Sequence, residues 1–173
     1  ATRAGLTAPA MVLSALAQLR GLRYQPDPRG LPEARGAVAS DYARRGVRVD
    51  PDHVVLTAST SEAYAFLFQL LSDPGDAVAV PRPSYPLFEY LARLEGIQVV
   101  TYPLRYDGEW HVVRGEVEAA LTPRTRGLVV VSPNHPTGSY LKRDEAKALL
   151  AMCAERGLAV IADTISTLAE AEG

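Results

Sequence analysis

From residue 52 onward, short apolar runs alternate with stretches of helical spacing, and that alternation confines the chain to few folds. The apolar runs lie at 54–57, 77–81, 99–102, 128–132 and 158–163. Between them, 61–72, 84–95, 114–121 and 143–156 read as helices. The run 128–132 is Leu-Val-Val-Val-Ser without polar alternation, the pattern of a strand buried on both faces. Such strands separated by helices predict an α/β fold with three layers, αβα, around a mainly parallel sheet whose C-terminal strand ends share one edge. The turns Asp73-Pro74-Gly75-Asp76 and Arg156-Gly157 are too short to be linkers. A chain of 173 residues is long enough for one domain of this kind to bury roughly 70% of its unfolded surface.

The first part of the chain is different. Met11, Leu13, Leu16 and Leu19 fall near helical spacing, and Gly21 and the run Tyr24-Gln25-Pro26-Asp27-Pro28-Arg29-Gly30 cannot continue a helix. A second helix is expected over 31–45, with Pro32 in its first turn and Gly46 at its end. The division expected is therefore an N-terminal helical segment, 1–23, followed by one domain over 24–173.

Charge and cysteine usage narrow the function. The 18 basic and 20 acidic residues are mixed along the chain with a net charge of −2, so no stripe invites a nucleic acid or a membrane surface. No apolar run approaches the length of a membrane span. Cys153 stands alone on an apolar helical stretch, which makes it a structural thiol and a cytoplasmic setting the default. His53, His111 and His135 are far apart, and no metal-ligand spacing is present. Only Lys142 and Lys147 carry an amine side chain.

The chain contains none of the G-x-G-x-x-G, G-x-x-x-x-G-K-[ST] or G-x-S-x-G motifs, which sets aside three common chemistries of parallel sheets. Its own polar groups stand at strand ends, where ligands of open parallel sheets bind. Thr57-Ala58-Ser59-Thr60-Ser61-Glu62 opens a helix; Ser59 and Glu62 fit a capping box, and the same first turn makes a seat for a phosphate monoester. Tyr85, held among Pro81, Pro83 and Pro86, is either a core ring or a stacking surface. Asn134 and His135 sit in the rigid turn after 128–132. Asp163 ends the last strand, where it can cap a helix or pair with a protonated pyridine nitrogen. An anion seat, a stacking ring, a hydrogen-bonding loop and a carboxylate together are the inventory for holding pyridoxal 5′-phosphate.

These motifs, in this order, resemble the large domain of class I/II aminotransferases of fold type I, over about Tyr24 to Asp163. The resemblance implies that Ser59, Thr60 and Ser61 seat the cofactor phosphate, Tyr85 stacks on its ring, Asn134 and His135 address the ring oxygen, and Asp163 pairs with the ring nitrogen. Tyr24 matches a residue that reaches the phosphate of a neighbouring subunit, which implies a homodimer. The chain departs from the family pattern at Ser59, where a glycine is usual, and at His135, where the asparagine that bonds the ring oxygen is usual. After Asp163 the run Thr164-Ile165-Ser166 lacks the family's tyrosine, and the tail 167–173 has no family likeness.

The Schiff-base lysine of the family lies several tens of residues beyond the position of Asp163, and Lys142 and Lys147 match no catalytic lysine. The expectation is thus a fragment of an enzyme that moves an amino group between an amino acid and a 2-oxo acid, with the small domain absent. Two alternatives accompany it. One is a non-enzymatic remnant that folds and dimerises; the other is the ligand-sensing domain of an aminotransferase-like transcription regulator, which needs a DNA-binding segment upstream.

Overall fold

In the computed structural model, residues 10–18 and 24–164 are described, and they belong to two compact units, 1–58 and 59–173. The first unit contains α1 (Ala10–Leu16), which buries none of its residues, and α2 (Pro32–Arg44). Pro32 occupies the first turn of α2, where its missing N–H has no partner to lose. Arg35 of α2 is buried, and its guanidinium donates to the carbonyls of Gly30 at 3.2 Å and Pro51 at 2.6 Å and to Asp52 Oδ1 at 3.1 Å. Gly30 itself has φ +90°, and an added Cβ would lie 2.7 Å from the Leu56 side chain, so both backbone and packing require glycine there.

Residues 54–57, expected as a strand, form none. Leu56 N donates to Arg29 O at 2.9 Å, Val55 is left 54% exposed, and the segment pairs with no strand among the described residues. A short apolar run nominates a strand, but only a neighbouring edge makes one.

The second unit is built on a five-stranded sheet, with β1 (Ala77–Arg82), β2 (Gln98–Tyr106), β3 (Trp110–Val112), β4 (Thr125–Ser132) and β5 (Ala159–Thr164). Their order is β3-β2-β1-β4-β5; β2, β1, β4 and β5 run parallel, and β3 pairs antiparallel with β2. Four of the five expected strands form. The fifth observed strand, β3, closes a hairpin around Asp107-Gly108-Glu109, with Gly108 at φ +114°. Three residues are too short for a periodic signal, although the Asp-Gly pair is a hairpin cue.

Helices cover both faces. Tyr64 and Phe68 of α3 (Thr60–Leu71) and Phe88, Leu91 and Ala92 of α4 (Leu87–Leu94) pack on Val78, Val80, Val129 and Ile161. On the other face, Val117 of α5 (Arg114–Ala120) and Leu149, Met152 and Cys153 of α6 (Arg143–Arg156) pack on Ala79, Tyr102, Leu128 and Val130. Neighbouring residues of β1 and β4 thus point into opposite cores, which explains their unbroken apolar runs and makes three layers, αβα. Tyr102 is buried among them and donates its hydroxyl to Val129 O at 2.8 Å, satisfying the one polar group of that side chain. Burial also pushes the Cys153 thiol up, as suits a structural residue. Among the described residues no helix is long and apolar enough to cross a membrane.

At the N-terminal edge of the sheet, buried Asp76 accepts from Arg126 Nε at 2.9 Å and Asp73 N at 3.2 Å, with Arg124 Nη2 at 3.1 Å. The hydrogen bonds from Arg126 and the Asp73 amide hold its carboxyl below the ordinary range. A carboxyl lowered by folding contributes stability that is complete above the unfolded value of about 3.9 and is lost as pH falls through the lower folded value. Asp76→Asn is therefore expected to lower the thermal midpoint at pH 7, with the difference from wild type shrinking below pH ~4. Calorimetry across pH 3–7 checks this, and a constant difference would sink the account.

Candidate functional site

The chain leaves β1 toward β2 on one side and returns through α5 to β4 on the other side of β1, so the strand order reverses between β1 and β4. A crevice opens outside the C-terminal ends of strands where order reverses, because the two following segments depart in opposite directions. A cavity of about 410 Å³ lies at these strand ends, lined by Ser59, Thr60, Ser61, Tyr85, His135 and Asp163 together with Tyr64 and apolar residues of α4. Six of the residues singled out in the sequence thus face one space.

Each is positioned by local chemistry. Ser59 is the N-cap of α3, with extended backbone, and its Oγ accepts from Glu62 N at 3.2 Å. Thr60 and Ser61 follow in the first turn, whose N–H groups have no intrahelical acceptor. The helix dipole adds partial positive charge at the same end. Tyr85 follows β1 and is half exposed; its ring meets His135 edge-to-face, with centroids 5.7 Å apart and planes at 83°. Asp163, in β5, is in register with Val131 of β4, which also lines the cavity.

Asn134 is placed differently from its neighbour. It is 4% exposed and is not among the residues lining the cavity. Its Nδ2 donates to Pro83 O at 3.1 Å and to Thr137 Oγ1 at 2.9 Å, so the amide ties the segment after β4 to the segment after β1. The turn is closed by Asn134 N donating to Ser139 O at 2.8 Å and Gly138 N donating to Asn134 O at 2.7 Å. His135 is left as the residue of this turn that faces the cavity with a polar side chain.

Tyr64 is the site residue that sequence reasoning passed over, since it lies within the helix read at 61–72 and was given no role there. Its hydroxyl donates to Asp163 Oδ2 at 2.9 Å. Burial foremost, and then the negative charge of Asp163, push the phenol well above its ordinary range, so it remains a protonated donor. A signal was present: Tyr64 lies four residues after Thr60 and three after Ser61, on the helix face that carries the hydroxyl groups.

Neither lysine lines the cavity. Lys142 Nζ donates to Glu109 Oε1 at 2.5 Å, and this bond raises the affinity of the amine for its proton. Lys147 is exposed, 4.0 Å from Asp144. Tyr24 belongs to the first unit and is 91% exposed. Ile165, Ser166 and the tail 167–173 lie outside the described residues. Among the described residues no group of three His, Cys, Asp or Glu could hold a metal ion.

Removal of the Asn134 amide leaves the Pro83 carbonyl without its donor. Asn134→Ala is expected to cost about 1–3 kcal/mol of stability and to weaken binding of ligands at the cavity, since Tyr85 and His135 lose their tether. Denaturant titration and ligand titration of the variant check this, and unchanged stability would remove Asn134 from its tying role.

The profile of the family described as "Aminotransferase class I and II" matches residues 4–165. Valine–pyruvate aminotransferase of Mycobacterium tuberculosis is 34% identical over 79% of this chain and 35% of its own length. Arginine–pyruvate transaminase of Pseudomonas aeruginosa is 35% identical over 85% of this chain and 38% of its own. Among solved structures, aspartate aminotransferase from Thermus thermophilus superposes with a TM-score of 0.84 at 32% identity, over 93% of this chain and 43% of that one. The chain spans a little over a third of the length of these curated relatives. On its matched residues and its fold alike, the chain belongs to the aminotransferase class I and II family.

Proposed function

We propose that this chain is the cofactor-holding part of an aminotransferase that binds pyridoxal 5′-phosphate and moves an amino group between an amino acid and a 2-oxo acid. One observation carries the reading: the start of α3, the segments after β1 and β4, and the end of β5 bring their polar groups to a single cavity of about 410 Å³. That volume lies in the range of small-molecule sites. The donor set fits the cofactor. Hydroxyls and first-turn amides at a helix start suit a phosphate dianion, an exposed tyrosine face suits a planar ring, and Asp163 keeps one oxygen without a hydrogen-bond partner among the described residues.

The roles follow from those groups. Ser59, Thr60 and Ser61 would hold the phosphate against the dipole of α3. Tyr85 would cover one ring face, and His135, fixed edge-on to it, would donate to the ring oxygen. Asp163 would hold a proton on the ring nitrogen by opposing its charge. When bound, the cofactor supplies an electron sink for the bonds at an amino acid's α-carbon. Tyr24, exposed in the first unit, would complete the phosphate site of a second copy, which makes a homodimer part of the reading. The amine this chemistry needs is expected outside residues 1–173, since Lys142 is held protonated by Glu109 and a Schiff-base lysine requires the opposite. A cytoplasmic setting is proposed with it. Two relatives named above are pyruvate-dependent by name, which supports a 2-oxo acid as one substrate. The regulator and remnant alternatives find no such support.

Titration of the chain with pyridoxal 5′-phosphate, followed by Trp110 fluorescence or absorbance, is expected to saturate, and Asp163→Asn to weaken binding about tenfold. Borohydride reduction of the mixture and peptide mapping are expected to show no stoichiometric label on Lys142 or Lys147. Equal binding by Asp163→Asn, or full labelling of one lysine, would overturn the assignment of these roles.

A further inference from the structure

We infer that Tyr64 is a positioning residue: its hydroxyl holds the Asp163 carboxylate in the orientation that receives a protonated heteroaromatic nitrogen, and so sets how strongly the cavity discriminates a pyridine from its carbocyclic equivalent. The inference rests on the cofactor reading above and adds to it a residue of the cavity wall whose hydroxyl acts on the ligand through Asp163.

The geometry is specific. Tyr64 and Asp163 are 99 residues apart in sequence, and the bond between them runs from the helix layer to the C-terminal edge of the sheet. The Tyr64 ring is 5% exposed and cannot swing, because Phe88 meets it edge-on at 5.0 Å and 84° and Phe68 lies against it at 5.7 Å and 44°. Asp163, by contrast, is only half-buried near the end of its strand, and Tyr64 is the hydrogen-bond donor to its oxygens among the described residues. A locked ring with one donatable proton therefore orients a side chain that its own surroundings leave loose. The proton goes to Oδ2, and Oδ1 has no hydrogen-bond partner among the described residues. A carboxylate accepts through both oxygens at once, so the bond to Tyr64 leaves the second one for a cationic N–H. Because burial and the neighbouring charge keep the phenol protonated, this orientation persists across the neutral and mildly alkaline range.

The bland account of the same contact is a core tyrosine that satisfies its hydroxyl on the nearest acceptor. The two accounts differ in one measurable respect. A core role affects every ligand of the cavity alike, whereas an orienting role affects only ligands that present a ring N–H to Asp163.

The test uses the full chain and two probes that lack an aldehyde and cannot react with lysine: pyridoxine 5′-phosphate and its 1-deaza analogue, in which a C–H replaces the ring nitrogen. Dissociation constants are measured by calorimetry at pH 7 for wild type, Tyr64→Phe and Phe88→Leu. Wild type is expected to prefer the pyridine about tenfold, equivalent to ~1.4 kcal/mol. Tyr64→Phe removes one oxygen from a packed ring and is expected to cut that preference to about twofold by weakening the pyridine alone, with the deaza analogue unchanged. Phe88→Leu keeps the hydroxyl but frees the ring, and is expected to lower the preference part of the way. Equal weakening of both probes by Tyr64→Phe, or an undiminished preference in both variants, reduces Tyr64 to a core residue and overturns the inference while leaving the cofactor reading intact. Absence of any preference in wild type overturns the contact of Asp163 with the ring nitrogen, and the inference falls with it.

Discussion

The pairing of β1 with β4 is the contact on which the site depends. Through their middles, 77–81 and 127–130, both strands are apolar and buried on two faces, so whatever chemistry the domain has is carried past their C-terminal ends. Because the chain departs from β1 toward β2 and arrives at β4 from beyond β3, the segments after these two adjacent strands diverge. The space between them is the cavity. At the opposite edge, Asp76 with Arg124 and Arg126 ties the beginnings of the same two strands, beside an irregularity in register at Ala77 and Val78. One end of the pair is clamped by charge, and the other is left open for a ligand.

Past the strand ends there is no sheet to hold geometry, and side chains take over. Asn134 joins the two loops through Pro83 O, which allows Tyr85 and His135 to meet edge-on although they follow different strands. Phe88 and Phe68 lock Tyr64, and Tyr64 in turn reaches Asp163. In both cases a residue that is buried or nearly so fixes one that faces the cavity. A site of this kind is preorganised by its supporting residues as much as by those that would touch a ligand. Family membership is consistent with this division, since the chain matches relatives over the part of their length that contains such a sheet.

Much of the architecture was legible because its signals are local. The unbroken run at 128–132, the cap Ser59 with Glu62, the prolines around Tyr85 and the short turns between elements each act within a few residues, and each is found where the sequence places it. The failures have equally plain causes. Residues 54–57 have strand composition but no neighbouring edge among the described residues, and β3 is too short to show a period.

By itself, the sequence determined which segments become helices and buried strands and which polar residues stand at their ends, since periodicity and turn chemistry are properties of adjacent residues. It could not tell Asn134 from His135, which sit side by side in the same turn; only the approach of Pro83, 51 residues away, turns one amide into a tie and leaves the imidazole at the cavity. It placed Tyr64 inside a helix without a role, and only the packing of α3 against the sheet brought that hydroxyl to Asp163. Strand order, the crevice it opens and the partners of buried polar groups are decided by contacts between distant parts of the chain, and no local pattern encodes which of them will meet.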